Sequence, residues 1–93
     1  MEFEWDPTKA EANLRKHRVS FLKAMKVFDD PSRQEQLDAS SNYGEDRWIT
    51  LGLVEQKVLH VVSTQRKEKV RLISARKATS NERRIYWNGY VPL

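Results

Sequence analysis

Residues 65–84, QRKEKVRLISARKATSNERR, pass from strand alternation into a helix cap without a linker. Period two places Val70, Leu72, Ser74 and Arg76 on one strand face, and Lys69, Arg71, Ile73 and Ala75 on the other. Strand character ends at Arg76-Lys77. Thr79-Ser80-Asn81-Glu82 then has capping-box spacing, in which the Glu82 side chain reaches back to the amide of Thr79. The helix runs to about Asn88, with Gly89 as a left-handed terminator.

The same stretch concentrates charge. Between positions 57 and 84 there are nine Lys/Arg against two acids, whereas residues 1–56 carry eight against eleven. Cations segregated this way raise the local concentration of a phosphate backbone, although a small domain can also simply have a basic face.

Upstream lie two more strands, 47–54 (RWITLGLV) and 57–64 (KVLHVVST). The connections to and from 57–64 are short, so strands 47–54, 57–64 and 69–76 should pair as antiparallel hairpins. Neither turn has an Asn-Gly signal. Residues 33–38 read as a further exposed strand, and 40–46 as a polar loop containing Gly44. At the start, Phe3 and Trp5 alternate with Glu2 and Glu4 in a short edge strand. Asp6-Pro7 opens a helix over about 7–17 that buries Ala10 and Leu14. A second helix is capped by Ser20, with Phe21, Ala24, Met25 and Phe28 in one apolar stripe and Val19 placed for a staple. Asp29-Asp30-Pro31 stops it. The resulting order, β-α-α-β-β-β-β-α, predicts an α+β domain: a small antiparallel sheet with two N-terminal helices and one C-terminal helix.

Ninety-three residues, 39% hydrophobic and 32% charged, suit one globular domain spanning 1–93. With no cysteine, disulfides and thiolate sites are excluded, and His17 and His60 lie too far apart in sequence for a zinc motif. No apolar run approaches the roughly 18 residues of a membrane span. The N-terminus lacks signal-peptide character, so a cytoplasmic location without membrane contact is expected. Three glycines cannot write a phosphate-binding loop, and no cofactor is implied.

Arginines therefore dominate the chemistry. Arg76, at the strand end, either pairs with Glu82 or grips phosphate through two oxygens at once. Arg66 sits in a hairpin loop, where a solvated turn charge is the plain alternative. Arg83 and Arg84 lie beside Tyr86 and Trp87 and suit base stacking, unless those aromatics pack on the sheet. His17 ends the first helix, where the dipole favours imidazolium, and it can also shuttle protons near neutrality. His60 reads as a sheet residue.

Several stretches resemble the BrnT toxin family. Its opening is matched by Phe3-Glu4-Trp5-Asp6, Asn13-Leu14-Arg15-Lys16-His17, Val19-Ser20-Phe21 and Val27-Phe28-Asp29-Asp30-Pro31. Its central strand is similar to Arg47-Trp48-Ile49 with Leu51-Gly52. Its closing signature is similar to residues 71–79, followed by Glu82-Arg83-Arg84 and Tyr86. The resemblance implies a RelE-like fold and a ribonuclease that halts translation. It also implies a DNA-binding BrnA antitoxin, with the complex repressing its own operon. Two positions depart from the family pattern: Arg18 stands where a glycine is usual, and Gln65 where an acid often precedes the loop arginine.

For such a ribonuclease, metal-free cleavage proceeds by attack of the ribose 2′-hydroxyl on the adjacent phosphate. It needs a base, an acid and preorganised cations. Arg66 and Arg76 are assigned to the phosphate, with Lys69, Arg71, Arg83 and Arg84 holding the flanking RNA. His17 is the first choice for proton transfer, with Lys77 and Tyr86 as fallbacks. The assignment expects the arginines at both ends of the last strand to converge on one anionic pocket. The rival reading is a degenerate module that binds the antitoxin and assists its grip on operator DNA.

Overall fold

The computed structural model describes residues 1–39 and 44–89. Along the chain run β1 (Glu2–Glu4), α1 (Pro7–His17), α2 (Phe21–Ala24), a 3₁₀ segment (Met25–Asp29), β2 (Gln34–Leu37), β3 (Arg47–Val54), β4 (Lys57–Arg66), β5 (Lys69–Lys77) and α3 (Ser80–Asn88). The strands form one five-stranded sheet in the order β1-β5-β4-β3-β2. The α+β class holds, but the sheet is mixed and not purely antiparallel, because β1 pairs parallel with β5. The chain leaves β1 through the helices and returns beside it only after β2, β3 and β4, so no tight turn fixes an antiparallel sense. Part of the expected 40–46 loop, residues 40–43, lies outside the described residues.

Helices cover both faces. Against one face, α1, α2 and the 3₁₀ segment bury Val19, Phe21, Ala24, Val27, Val54, Leu59, Val61, Leu72 and Ala75. On the other, Tyr86 of α3 and Ala78 pack with Leu51 and Val58. The two faces therefore have separate cores, which is why helices at both chain ends are needed.

Local sequence explains the N-terminal elements, with three corrections. Asp6 accepts from the amides of Thr8 and Lys9, and Pro7 fills the first helical position. Leu14 is 45% exposed, contrary to the expected burial; its neighbour Asn13 turns inward instead. Asn13 Nδ2 donates to the carbonyls of Val19 and Ala75, and its Oδ1 accepts from the Ala75 amide, tying α1 to β5. The second helix is not continuous: after Ala24 it tightens into the 3₁₀ segment. That turn drives Val27, fully buried, against Gly52, where an added Cβ would lie 2.6 Å from the Val27 Cβ. Only glycine allows this approach. Finally, Gly89 has φ 75 but ψ 172, so the chain leaves α3 extended instead of curling left-handed.

A bulge in β5 decides where its side chains point. Val62 pairs with Ser74 and Ser63 with Leu72, which leaves Ile73 as an extra residue. Val70, Leu72 and Ala75 consequently all face the larger core. Arg76 emerges on the opposite face, beside α3, and not on the side of Val70 and Leu72 as strict alternation predicts.

Candidate active site

On the α3 face, Arg76 pairs directly across the sheet with His60. Glu82, in the first turn of α3, completes the group. Its two carboxylate oxygens accept from Arg76 Nη1 at 2.8 Å and Nη2 at 2.9 Å. The expected capping box is present and shares that carboxylate: Glu82 Oε1 accepts from the Thr79 amide at 2.9 Å. His60 Nε2 stands 3.6 Å from Glu82 Oε2. One glutamate thus caps the helix, grips the guanidinium and borders the imidazole.

The electrostatics follow from this packing. The hydrogen bond from Arg76 outweighs burial and lowers the Glu82 pKa to about 2. Arg76 is raised above the usual arginine value by its bond to Glu82. His60 is lowered, first by burial and then by the Arg76 cation, against a smaller opposing effect of Glu82. At neutral pH the imidazole is therefore uncharged and able to accept a proton. Its Nδ1 is buried without a hydrogen-bond partner among the described residues. His60 and Glu82 line a groove of 680 Å³ between α3 and the β2–β3 edge, walled by Leu51, Ile85 and Gln36.

The other predicted residues are dispersed. Arg66 is the last residue of β4, paired with Lys69, and does not occupy a loop. From His60 to Arg66 is six residues of strand, about 20 Å at 3.3 Å per residue. The arginines bounding β5 thus mark opposite ends of the sheet and do not converge on one pocket. Arg71 is held by Glu4 at 2.6 Å. Arg83 folds back on the Ala78 carbonyl and the Ser80 hydroxyl, while Arg84 is exposed. His17 ends α1, which packs on the sheet face opposite α3. Lys77 is exposed at the end of β5, where it presses on Lys57 and lowers that ammonium's pKa.

Tyr86 is buried, and its hydroxyl donates to Asp30 Oδ2 at 2.5 Å. Burial and this bond push it up to about 12, far from any proton transfer at neutral pH. Burial alone would raise Asp30, but bonds from Tyr86 and from the Leu53 and Ser32 amides prevail and lower it. Asp30 therefore joins the 3₁₀ segment, β3 and α3 at one point.

His60 and Asp30 are the residues that sequence reading missed. The signal for His60 was its cross-strand register with Arg76, which becomes visible only once the Ile73 bulge is placed. Among the described residues, no group of three or more His, Cys, Asp or Glu is arranged to hold a metal ion. None of their helices is long and apolar enough to cross a membrane.

Comparison with known families is decisive here. A model of the ribonuclease toxin BrnT of type II toxin–antitoxin systems matches residues 5–82. The chain belongs to the BrnT family. The match begins at Trp5 and ends at Glu82, so the BrnT pattern spans His60 and Arg76 as well as both covered sheet faces. No curated protein matches the chain. Membership of the BrnT family implies an antitoxin partner and ribonuclease activity.

Proposed function

We propose that this protein is an endoribonuclease toxin that cleaves RNA by metal-independent 2′-hydroxyl attack at Arg76, Glu82 and His60. The supporting observation is the family match over residues 5–82, joined by an uncharged imidazole and a carboxylate that line one groove and by the Arg76 cation paired with that carboxylate. RNA cleavage by this route deprotonates the 2′-hydroxyl, passes through a phosphorane carrying extra negative charge, and protonates the departing 5′-oxygen. His60 takes the 2′-proton. Arg76 stabilises the phosphorane, its fork held in place by Glu82 before substrate arrives. The departing 5′-oxygen takes its proton from solvent water. Arg66 and Lys69, about 20 Å away at the far hairpin, hold flanking phosphates. A RelE-like architecture, cytoplasmic action on translation and neutralisation by a BrnA-type antitoxin that binds operator DNA belong to the same reading.

Incubating the purified chain with an RNA oligonucleotide in excess chelator tests the chemistry. The expected products end in a 2′,3′-cyclic phosphate, and a single 2′-deoxy substitution at the cut site abolishes them. Cleavage that survives that substitution, or that stops with chelator, would contradict the mechanism.

One feature favours the alternative, a catalytically degenerate module that binds antitoxin and supports operator binding. Arg76 and Arg71 are each already engaged by a carboxylate. Expression without antitoxin separates the two readings: growth arrest supports the enzyme, and normal growth supports the module.

A further inference from the structure

Strand register sets four residues in one line across the sheet. Gln34 of β2 pairs with Leu51 of β3, Leu51 with His60 of β4, and His60 with Arg76 of β5. Residues directly opposite one another share a sheet face, so all four stand on the side of α3. At one strand spacing per step, Gln34 lies about 10 Å from His60 and about 15 Å from Arg76. Period two puts Gln36, which pairs with Ile49, on the same face.

The groove of 680 Å³ beside His60 and Glu82 extends along the Gln34 half of this line. Leu51 and Ile49 line it from the sheet, and Ile85 and Asn81 line it from α3. Ile85 keeps 38% of its surface exposed there. Gln34, Gln36 and Asn81 add three carboxamides, each a donor and an acceptor side by side. Among the described residues, the Gln36 and Asn81 side chains form no hydrogen bond, and Gln34 Nε2 donates only a long one, 3.4 Å, to the Ser32 carbonyl. Their hydrogen-bonding capacity is therefore open. Glu35 also lines the groove, but Arg33 holds it at 2.9 Å, so its charge is already matched. Apolar walls with polar groups at the edge are how proteins read an unpaired base.

The reaction chemistry selects which base. In the cleavage proposed above, the phosphate sits at Arg76 and the attacking 2′-hydroxyl at His60. That hydroxyl belongs to the nucleotide on the 5′ side of the cut. Its base then extends past His60, over Leu51 and towards Gln34, a span that matches the reach of a nucleotide from phosphate to outer base edge. The groove also falls within the roughly 300–1,000 Å³ of pockets that hold small molecules, enough for a purine with its ribose.

We infer that this groove is the recognition subsite for the base 5′ to the cut: Leu51 and Ile85 flank its ring, and Gln34 and Gln36 bond its edge. The adjacent donor and acceptor of a carboxamide match adenine, which is the favoured base. The subsite rests on the RNA-cleaving reading above, but base selection is measured separately from cleavage.

Two measurements test it: the 3′-terminal base of fragments cut from a random RNA pool, and fluorescence anisotropy with 2′-fluoro hexamers of each base, which bind but cannot be cut. Wild type is expected to leave adenine at the new 3′ end and to bind the adenine hexamer about tenfold tighter than the others. Gln34→Met combined with Gln36→Met, which keeps side-chain length and removes the carboxamides, is expected to erase that preference in a chain still folded by circular dichroism. Gln34→Glu, which exchanges a donor for an acceptor, is expected to move it towards cytosine. A merely structural role for the glutamines would slow cutting after every base alike, and such uniform slowing with the preference unchanged would overturn the subsite. So would unchanged preference with lost antitoxin capture, which would make the groove a protein contact. If binding shows a preference set by Gln34 and Gln36 while the chain cuts no RNA, the subsite stands and the nuclease reading falls. If the chain cuts RNA with a preference indifferent to both glutamines, only the subsite falls.

Discussion

Glu82 serves three neighbours at once, and its titration should be visible in stability. Its folded pKa, about 2, lies below the ordinary 4.5. The carboxylate is therefore more stable in the folded chain, so its contribution is complete above pH 4.5 and disappears as pH falls towards 2. A shift of this size corresponds to on the order of 3 kcal/mol. Denaturant unfolding between pH 6 and pH 2.5 should show that loss, and Glu82→Gln should flatten the profile. Tyr86 makes a different prediction. Its hydroxyl is committed to Asp30, so Tyr86→Phe should cost about 1–2 kcal/mol of stability and leave RNA cleavage per folded molecule unchanged. A cleavage defect without a stability defect would return Tyr86 to the chemistry.

Turns and strand ends show where sequence was legible and where it was not. Caps were readable because they depend on neighbours in sequence: Asp6, Ser20 and the Thr79–Glu82 box all bond as their spacing predicts. The bulge at Ile73 was not readable, because an extra residue in one strand is set by its partner across the sheet. That single residue moved Arg76 to the face of His60, so the candidate site was hidden even though its arginine was named. The parallel pairing of β1 was hidden for the same reason. Arg18 illustrates a local departure with a measurable price in stability. It adopts φ 62, ψ 24 at the end of α1, with its amide bonded to the Leu14 carbonyl at 2.9 Å. A side chain in that region costs about 1 kcal/mol, so Arg18→Gly should stabilise the fold by about that amount in thermal or denaturant unfolding. The β3–β4 turn is similar: Glu55 and Gln56 both have positive φ, the geometry that Asn-Gly would favour.

For the whole molecule, the basic half of the sequence resolves into two separate groups of cations. One surrounds the Arg76–Glu82–His60 cluster beneath α3, and the other crowns the β4–β5 hairpin near Trp48. Composition and charge revealed that cations were abundant, but only the length of β4 shows that they are divided. An extended RNA strand suits such a division better than a compact anion, because successive phosphates can meet successive cations. The family match supports the nuclease role, and the proposed reaction lies on the α3 side. The most direct measurement is RNA cleavage by purified Arg76→Ala alongside wild type, with folding checked by circular dichroism and antitoxin binding. Loss of at least about a hundredfold in rate, with fold and antitoxin binding intact, is the predicted result; wild-type cleavage by the folded variant would contradict the site.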